Sequence, residues 1–303
     1  MTINNMYVLD RNIVDLMKKY NNNTNITDEK RIHMLEYLTE MDKDGNLFSP
    51  TFSFLEGKIK TIVTEENRLI MQKIPNKEIR SLIKEESNIV RDFIKKGSTD
   101  YNFILKNEKA IAKIIYEQEI DKLLEEKIDC LDELRNNLVM FDDNNNIKNI
   151  KIEHRKELYN TFKNIMRRFP NLKKQPFAFI VMMHIFGCDR ATKSLKFNKK
   201  RFVAYNPIAD FNHVRHALKL SQNPLVIQRG VNIHFMSLDS DIDFINKVFI
   251  FKEVRSEKLT NYTELSKSSW QVSREIVEEN IPNQKNNQQL FHESFLDFYG
   301  ESF

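Results

Sequence analysis

The chain has 303 residues, 41% of them hydrophobic and 30% charged, a composition that suits a folded protein and excludes wholesale disorder. Six Gly and seven Pro leave little material for a turn-dense all-β fold or for phosphate-cradling glycine loops, and two cysteines, Cys130 and Cys188, cannot build a disulfide framework. The net charge of +4 is uneven: 14 Lys and Arg between Lys151 and Arg201 face three acids there, a net of +11, so the remainder carries −7. Charge segregated in this way predicts a phosphate-rich partner, against the plainer alternative of a solvated lysine-rich face.

Tyr7-Val8-Leu9 reads as a short buried strand ending in Asp10, and Ile13, Val14, Leu16 and Met17 follow at helical spacing. Thr27-Asp28-Glu29-Lys30 caps a second helix that stops before the turn signal Lys43-Asp44-Gly45-Asn46. A third begins after Ser49-Pro50, with Phe52, Phe54, Leu55 and Ile59 as its apolar positions. From about Lys58 to Met140 the pattern is helical almost throughout, and Asp142 to Asn146 marks the best internal boundary.

Phe177 to Phe186 is the longest apolar run, too short to span a bilayer; with no signal-type N-terminus, a cytoplasmic protein away from membranes is expected. Arg201 to Ala204 is a strand or an extended lead-in to Asn206-Pro207, and Asp210 opens a helix reaching Leu220. Val231 to Met236 alternates like a strand, Lys247 to Phe251 reads as another, and the aromatic tail (Phe291, Phe295, Phe298, Tyr299, Phe303) is expected to dock. Strands near both ends with helices between predict one α/β core carrying a large, mostly helical insertion. The boundaries are 1–60 with 176–255 for the core, 61–175 for the insertion with its basic C-terminal part, and 256–303 for an extension.

The chemistry-bearing pattern is a set of carboxylates where strands stop or helices begin: Asp10, Glu56, Asp210, Asp239 and Asp241. Acids at strand C-termini of an α/β sheet project into its ligand crevice, and several converging there call for a hard cation such as Mg²⁺ or Mn²⁺. Taken singly, each acid is as well explained as a helix cap or solvated group. His213, His216 and His234 lack a zinc-type partner set and read as surface or supporting histidines. Walker, dinucleotide and Gly-x-Ser-x-Gly signatures are absent, and Glu56-Gly57-Lys58 is a weak match to a Glu-x-Lys nuclease pattern.

In order, YVLDRN (7–12), SPTFSFLEG (49–57), NPIADFNHVRHAL (206–218) and IHFMSLDSDIDF (233–244) resemble the four signatures of PIN-domain nucleases. Arg11 departs from the usual Thr or Ser, and the gap from Glu56 to Asp210 exceeds that of compact members. The resemblance implies a PIN-like parallel-sheet core and metal-assisted phosphodiester hydrolysis, with Mg²⁺ or Mn²⁺ held centrally by Asp10 and Asp239. Glu56 and Asp210 complete the site directly or through water, Asp241 replaces Asp239 in an alternative register, and Asn12 and Ser237 fix Asp10 and the strand end. It further implies a ribonuclease of toxin or anti-phage defence type, RNA ahead of DNA as substrate, and an inhibitory protein or homo-oligomer as further partner. Phosphate contacts fall to Arg167, Arg168, Lys173, Lys174, Lys199, Lys200 and Arg201. The competing reading is a nucleic-acid-binding or helical interaction protein on a PIN-like scaffold, without turnover.

Overall fold

The computed structural model describes residues 2–57, 59–63, 69–117, 123–140, 150–199, 202–221, 228–251, 270–283 and 286–300. In chain order the elements are β1 (Asn5–Leu9), α1 (Arg11–Asn21), α2 (Glu29–Met41), β2 (Asn46–Ser49), α3 (Thr51–Gly57), β3 (Ile59–Val63) and β4 (Leu69–Lys73). Then come α4 (Asn76–Phe93), β5 (Ser98–Thr99), α5 (Tyr101–Lys106), α6 (Glu108–Glu117), α7 (Leu124–Leu138), α8 (Ile152–Arg168) and a 3₁₀ turn at Pro170–Leu172. The last are α9 (Pro176–Ile185), α10 (Asp189–Ser194), α11 (Tyr205–Ser221), β6 (Asn232–Met236), α12 (Ser240–Val248), β7 (Phe249–Phe251), β8 (Trp270–Val272), α13 (Arg274–Asn280) and α14 (Asn287–Tyr299).

The fold is mixed α/β and divides into two compact units, Met1–Ile120 with His213–Ser240, and Asp121–Asn212 with Asp241–Phe303. In the first, four parallel strands lie in the order β5-β2-β1-β6. Side chains alternate across β1 and β6 as the pleat requires. Tyr7, Leu9 and Met236 join Phe48 on one face, where α1, α2 and α4 supply Ile13, Val14, Met17, Leu38, Val90 and Phe93. Tyr7 stacks between Phe48 and His234, its partners in register, at 5.0 and 4.9 Å between centroids. Met6, Val8, Ile233 and Phe235 take the other face and pack with Phe52 and Leu55 of α3.

Asp42 pins the third strand in place. Its carboxylate, at the end of α2, accepts the backbone N–H groups of Lys95, Lys96 and Gly97 at 2.6–2.9 Å, tying the turn before β2 to the loop before β5.

The helical expectation for 58–140 needs correction: 59–63 and 69–73 form an antiparallel pair, β3 with β4. Ile59, Ile62 and Val63 fit an i, i+3, i+4 helical spacing, yet a β-branched run is stiff at χ1 and favours a strand. Arg201 itself lies outside the described residues, and 202–204 form no strand; α11 begins at Tyr205, so Asp210 stands in its second turn instead of opening it. At 247–251 only Phe249–Phe251 is strand, paired antiparallel with β8.

The unit limits also fall elsewhere than the sequence boundaries. Residues 76–106 belong with the sheet because α4 covers one face of it, whereas 176–212 and 241–251 belong to the second unit. There α9, apolar but for His184, is buried from Phe177 to Ile185, and the aromatic side chains of α14 are buried at Phe291, Phe295 and Phe298. The Tyr159 hydroxyl of α8 shares its one proton between the Ser294 carbonyl at 2.8 Å and Asp297 Oδ2 at 2.7 Å, so the tail docks. Phe303 lies outside the described residues. Among the described residues no helix is long and apolar enough to cross a membrane.

Candidate metal centre

The strand order places the chemistry. The chain passes from β1 to β2 to β5 on one side, and β6 then returns to the opposite side of β1. The C-terminal ends of β1 and β6 therefore flank a topological switch point, the crevice where open parallel sheets take ligands. Leu9 is in register with Met236, so Asp10 and Ser237 leave the sheet side by side.

Asp10 is nearly buried, at 3% exposure, and is held from several directions. Its N–H extends the ladder to the Met236 carbonyl, and its Oδ1 caps α1 by accepting the Arg11 N–H at 2.9 Å. Oδ2 accepts the Asn12 amide at 2.7 Å and the Ser237 hydroxyl at 2.6 Å. The Asn12 amide also donates to Ser237 Oγ, while its carbonyl oxygen accepts the Leu238 N–H at 2.9 Å. Ser237 Oγ in turn accepts the Asp239 N–H at 3.0 Å. One network thus fixes the carboxylate and the loop that follows β6.

Glu56 arrives on the last turn of α3. Gly57 lets that helix come close: a Cβ there would meet Leu82 Cδ2 at 2.4 Å and Arg11 Nη1 at 3.0 Å. His213 comes from α11, 6% exposed, with its ring near Phe52 and Phe235 at 6.4 Å between centroids in each case. Asp10, Glu56 and His213 each offer one donor atom within 4.8 Å of the other two. His213 Nδ1 stands 3.8 Å from Asp10 Oδ1, too long for a hydrogen bond between those atoms. Two ligands of one cation at about 2.1 Å are about 3.0 Å apart when cis and about 4.2 Å when trans, which brackets this spacing. Two carboxylates with an imidazole, largely removed from water, form a donor set that suits a divalent cation.

The remaining expected acids are placed differently. Asp210, three residues before His213 on α11, is paired with Lys196 at 2.7 Å in the second unit. Asp239 lies just past β6 and is not one of the three grouped donors; Asp241 stands in the first turn of α12, in the second unit. Arg167, Arg168, Lys173, Lys174 and Lys199 are exposed in the second unit, with Arg168 paired to Glu133; Lys200 and Arg201 lie outside the described residues.

Three residues escaped sequence reasoning. His213 looked like any histidine on a helix, and His216's side chain lies outside what the structure describes. Asp100 follows β5 at the same edge of the sheet, where Ser49 Oγ donates to its Oδ2 at 2.5 Å and meets Thr51 Oγ1 at 2.7 Å. Burial pushes Asp100 up to about 6, against the opposing hydroxyl. Glu86, on α4, is 5% exposed and is pushed up by burial to about 7, with Ser53 and Arg11 opposing. No family model, curated protein or solved structure matches the chain.

Proposed function

We propose that the first unit is a divalent-cation-dependent phosphodiesterase of the PIN-like kind, acting on nucleic acid with RNA ahead of DNA. One observation carries the reading. All four signature-like segments send a side chain to the switch point: Asp10 from the first, Glu56 from the second, His213 from the third and Ser237 from the fourth. The third contributes a histidine where the resemblance implied Asp210.

Asp10, Glu56 and His213 would hold the cation, with Mn²⁺ suiting a set containing imidazole better than Mg²⁺ does. Such a cation supplies neutralisation of charge on phosphate and a more acidic water. The chain's own part is orientation. Asn12 and Ser237 occupy Asp10 Oδ2 and set the carboxylate's rotamer, while the rings of Phe52 and Phe235 confine His213. The basic residues of the second unit supply phosphate contacts.

A second reading, a PIN-like scaffold that binds without turnover, draws on the engagement of Asp210 by Lys196, which leaves two carboxylates in the group. Incubating the full chain with labelled RNA, single-stranded DNA and duplex DNA, with Mn²⁺ or with EDTA, separates the two. The nuclease reading expects Mn²⁺-dependent cleavage of RNA that disappears in Asp10→Asn while binding persists. Binding without cleavage of any substrate supports the scaffold, and full cleavage by Asp10→Asn removes the assigned centre.

A further inference from the structure

In the second unit, the end of α8, the 3₁₀ turn and α14 surround an open cavity of about 300 Å³, lined chiefly by Lys163, Met166, Arg167, Lys173, Asp297 and Phe298. Its charge is unbalanced. Lys163 and Arg167 stand one turn apart on the same face of α8, an arrangement of like charges that destabilises a helix on its own. The 3₁₀ turn brings Lys173 back to the same place, with Nζ 4.9 Å from the centroid of the Phe298 ring. Among the described residues the one lining carboxylate is Asp297, bonded by Lys163 at 2.5 Å and by the Tyr159 hydroxyl at 2.7 Å, both of which hold its carboxyl below the usual range. Three cations against one anion leave the described lining at +2.

A helix C-terminus favours nearby cations, which accounts for Arg167 but not for Lys163, a turn further in, or for Lys173, beyond the helix. A dianion fits the surplus. A phosphomonoester carries about −1.5 to −2 near neutral pH, whereas an internal phosphodiester carries one charge. The volume is at the small end of ligand pockets, suited to one phosphate with its sugar, and an Arg beside two Lys offers a planar fork plus two point charges.

We propose that this cavity binds a terminal phosphate, the phosphomonoester of a nucleic-acid strand end or of a free mononucleotide. The proposal rests on the nucleic-acid part of the function above and not on cleavage, so the two fail separately. The test uses full-length Asp10→Asn protein and fluorescence anisotropy at fixed salt, with one oligonucleotide sequence carrying a 5′-phosphate, a 3′-phosphate or hydroxyl ends. Uridine monophosphate and inorganic phosphate serve as competitors. A phosphorylated end is expected to bind at least tenfold tighter than a hydroxyl end, and Arg167→Glu or Lys173→Glu is expected to erase that preference. An unchanged circular dichroism spectrum and urea midpoint show that these variants are folded, and the preference is read as the ratio of phosphorylated-end to hydroxyl-end affinity in each variant. Competition by the free phosphates without an end preference supports the site with a mononucleotide as its occupant. Equal affinity for all ends with no competition overturns the proposal, leaving an ordinary phosphodiester-binding face and the nuclease reading intact.

Discussion

Replacing Glu86 by Gln tests whether the α3–α4 contact carries a buried acid whose ionisation works against folding. Burial pushes this carboxyl from the ordinary 4.5 to about 7, and among the described residues its Oε2 has no hydrogen-bond partner. Below pH 4.5 the group is protonated in both folded and unfolded chains and contributes no pH dependence. Between 4.5 and 7 the unfolded chain releases the proton while the folded chain keeps it, so stability falls as pH rises. Above 7 the full loss has accumulated, at 1.36 kcal/mol per tenfold about 3 kcal/mol as an order of magnitude. Glu86→Gln keeps the size of the side chain and abolishes the titration. Urea unfolding at pH 4 and pH 8 is therefore expected to give similar stabilities for the two proteins at the lower pH. At the higher pH the variant is expected to be about 2–3 kcal/mol more stable. A difference between variant and wild type that is the same at both pH values would refute the reasoning. Asp100, raised to about 6 by burial, has the same sign, and Asp100→Asn isolates its part between pH 3.8 and 6.

Asn12→Ala removes the amide that spans Asp10, Ser237 and Leu238; Mn²⁺ affinity by calorimetry is expected to weaken about 10–100-fold, and urea stability to fall by about 2 kcal/mol. His213→Ala is expected to lower Mn²⁺ affinity more than Mg²⁺ affinity, because it deletes the nitrogen donor; equal losses for the two ions would remove imidazole from the donor set. Gly57→Ala puts a Cβ against the tips of the Leu82 and Arg11 side chains, which must turn aside, and is expected to cost at most about 1 kcal/mol in thermal or urea unfolding, part of it offset by the better helix propensity of Ala.

The sheet's centre was legible because Tyr7-Val8-Leu9 pairs an apolar run with an immediate cap, Asp10, followed by a helical period. The β6 strand was legible from its alternation. In contrast, β2 was hidden: its four residues begin within the turn signal Lys43 to Asn46, and β5 is two residues long with no period to detect. The β3 and β4 segments were misread because three apolar residues at 59, 62 and 63 satisfy a helical spacing, and only the β-branching argues otherwise. At the candidate centre, Asp10 and Glu56 were visible as acids beside element ends, whereas the role of His213 depends on which face of α11 meets Phe52 and Phe235. Asp100 depends on a pairing, β2 with β5, that a single sequence does not display.

The pairing of β1 with β6 sets a schedule for synthesis. Asp10 and Glu56 leave the ribosome early, but His213 follows Glu56 by 157 positions and Ser237 comes later still. At about 5–20 residues per second, roughly 8–30 s separate the second donor from the third. A nascent chain in that interval has the first two parallel strands and their covering helices, but neither the imidazole nor the hydroxyl that orients Asp10. On the function proposed above, cation binding and any cleavage that depends on it would then wait until the chain has passed residue 237, and a product truncated before it would lack both.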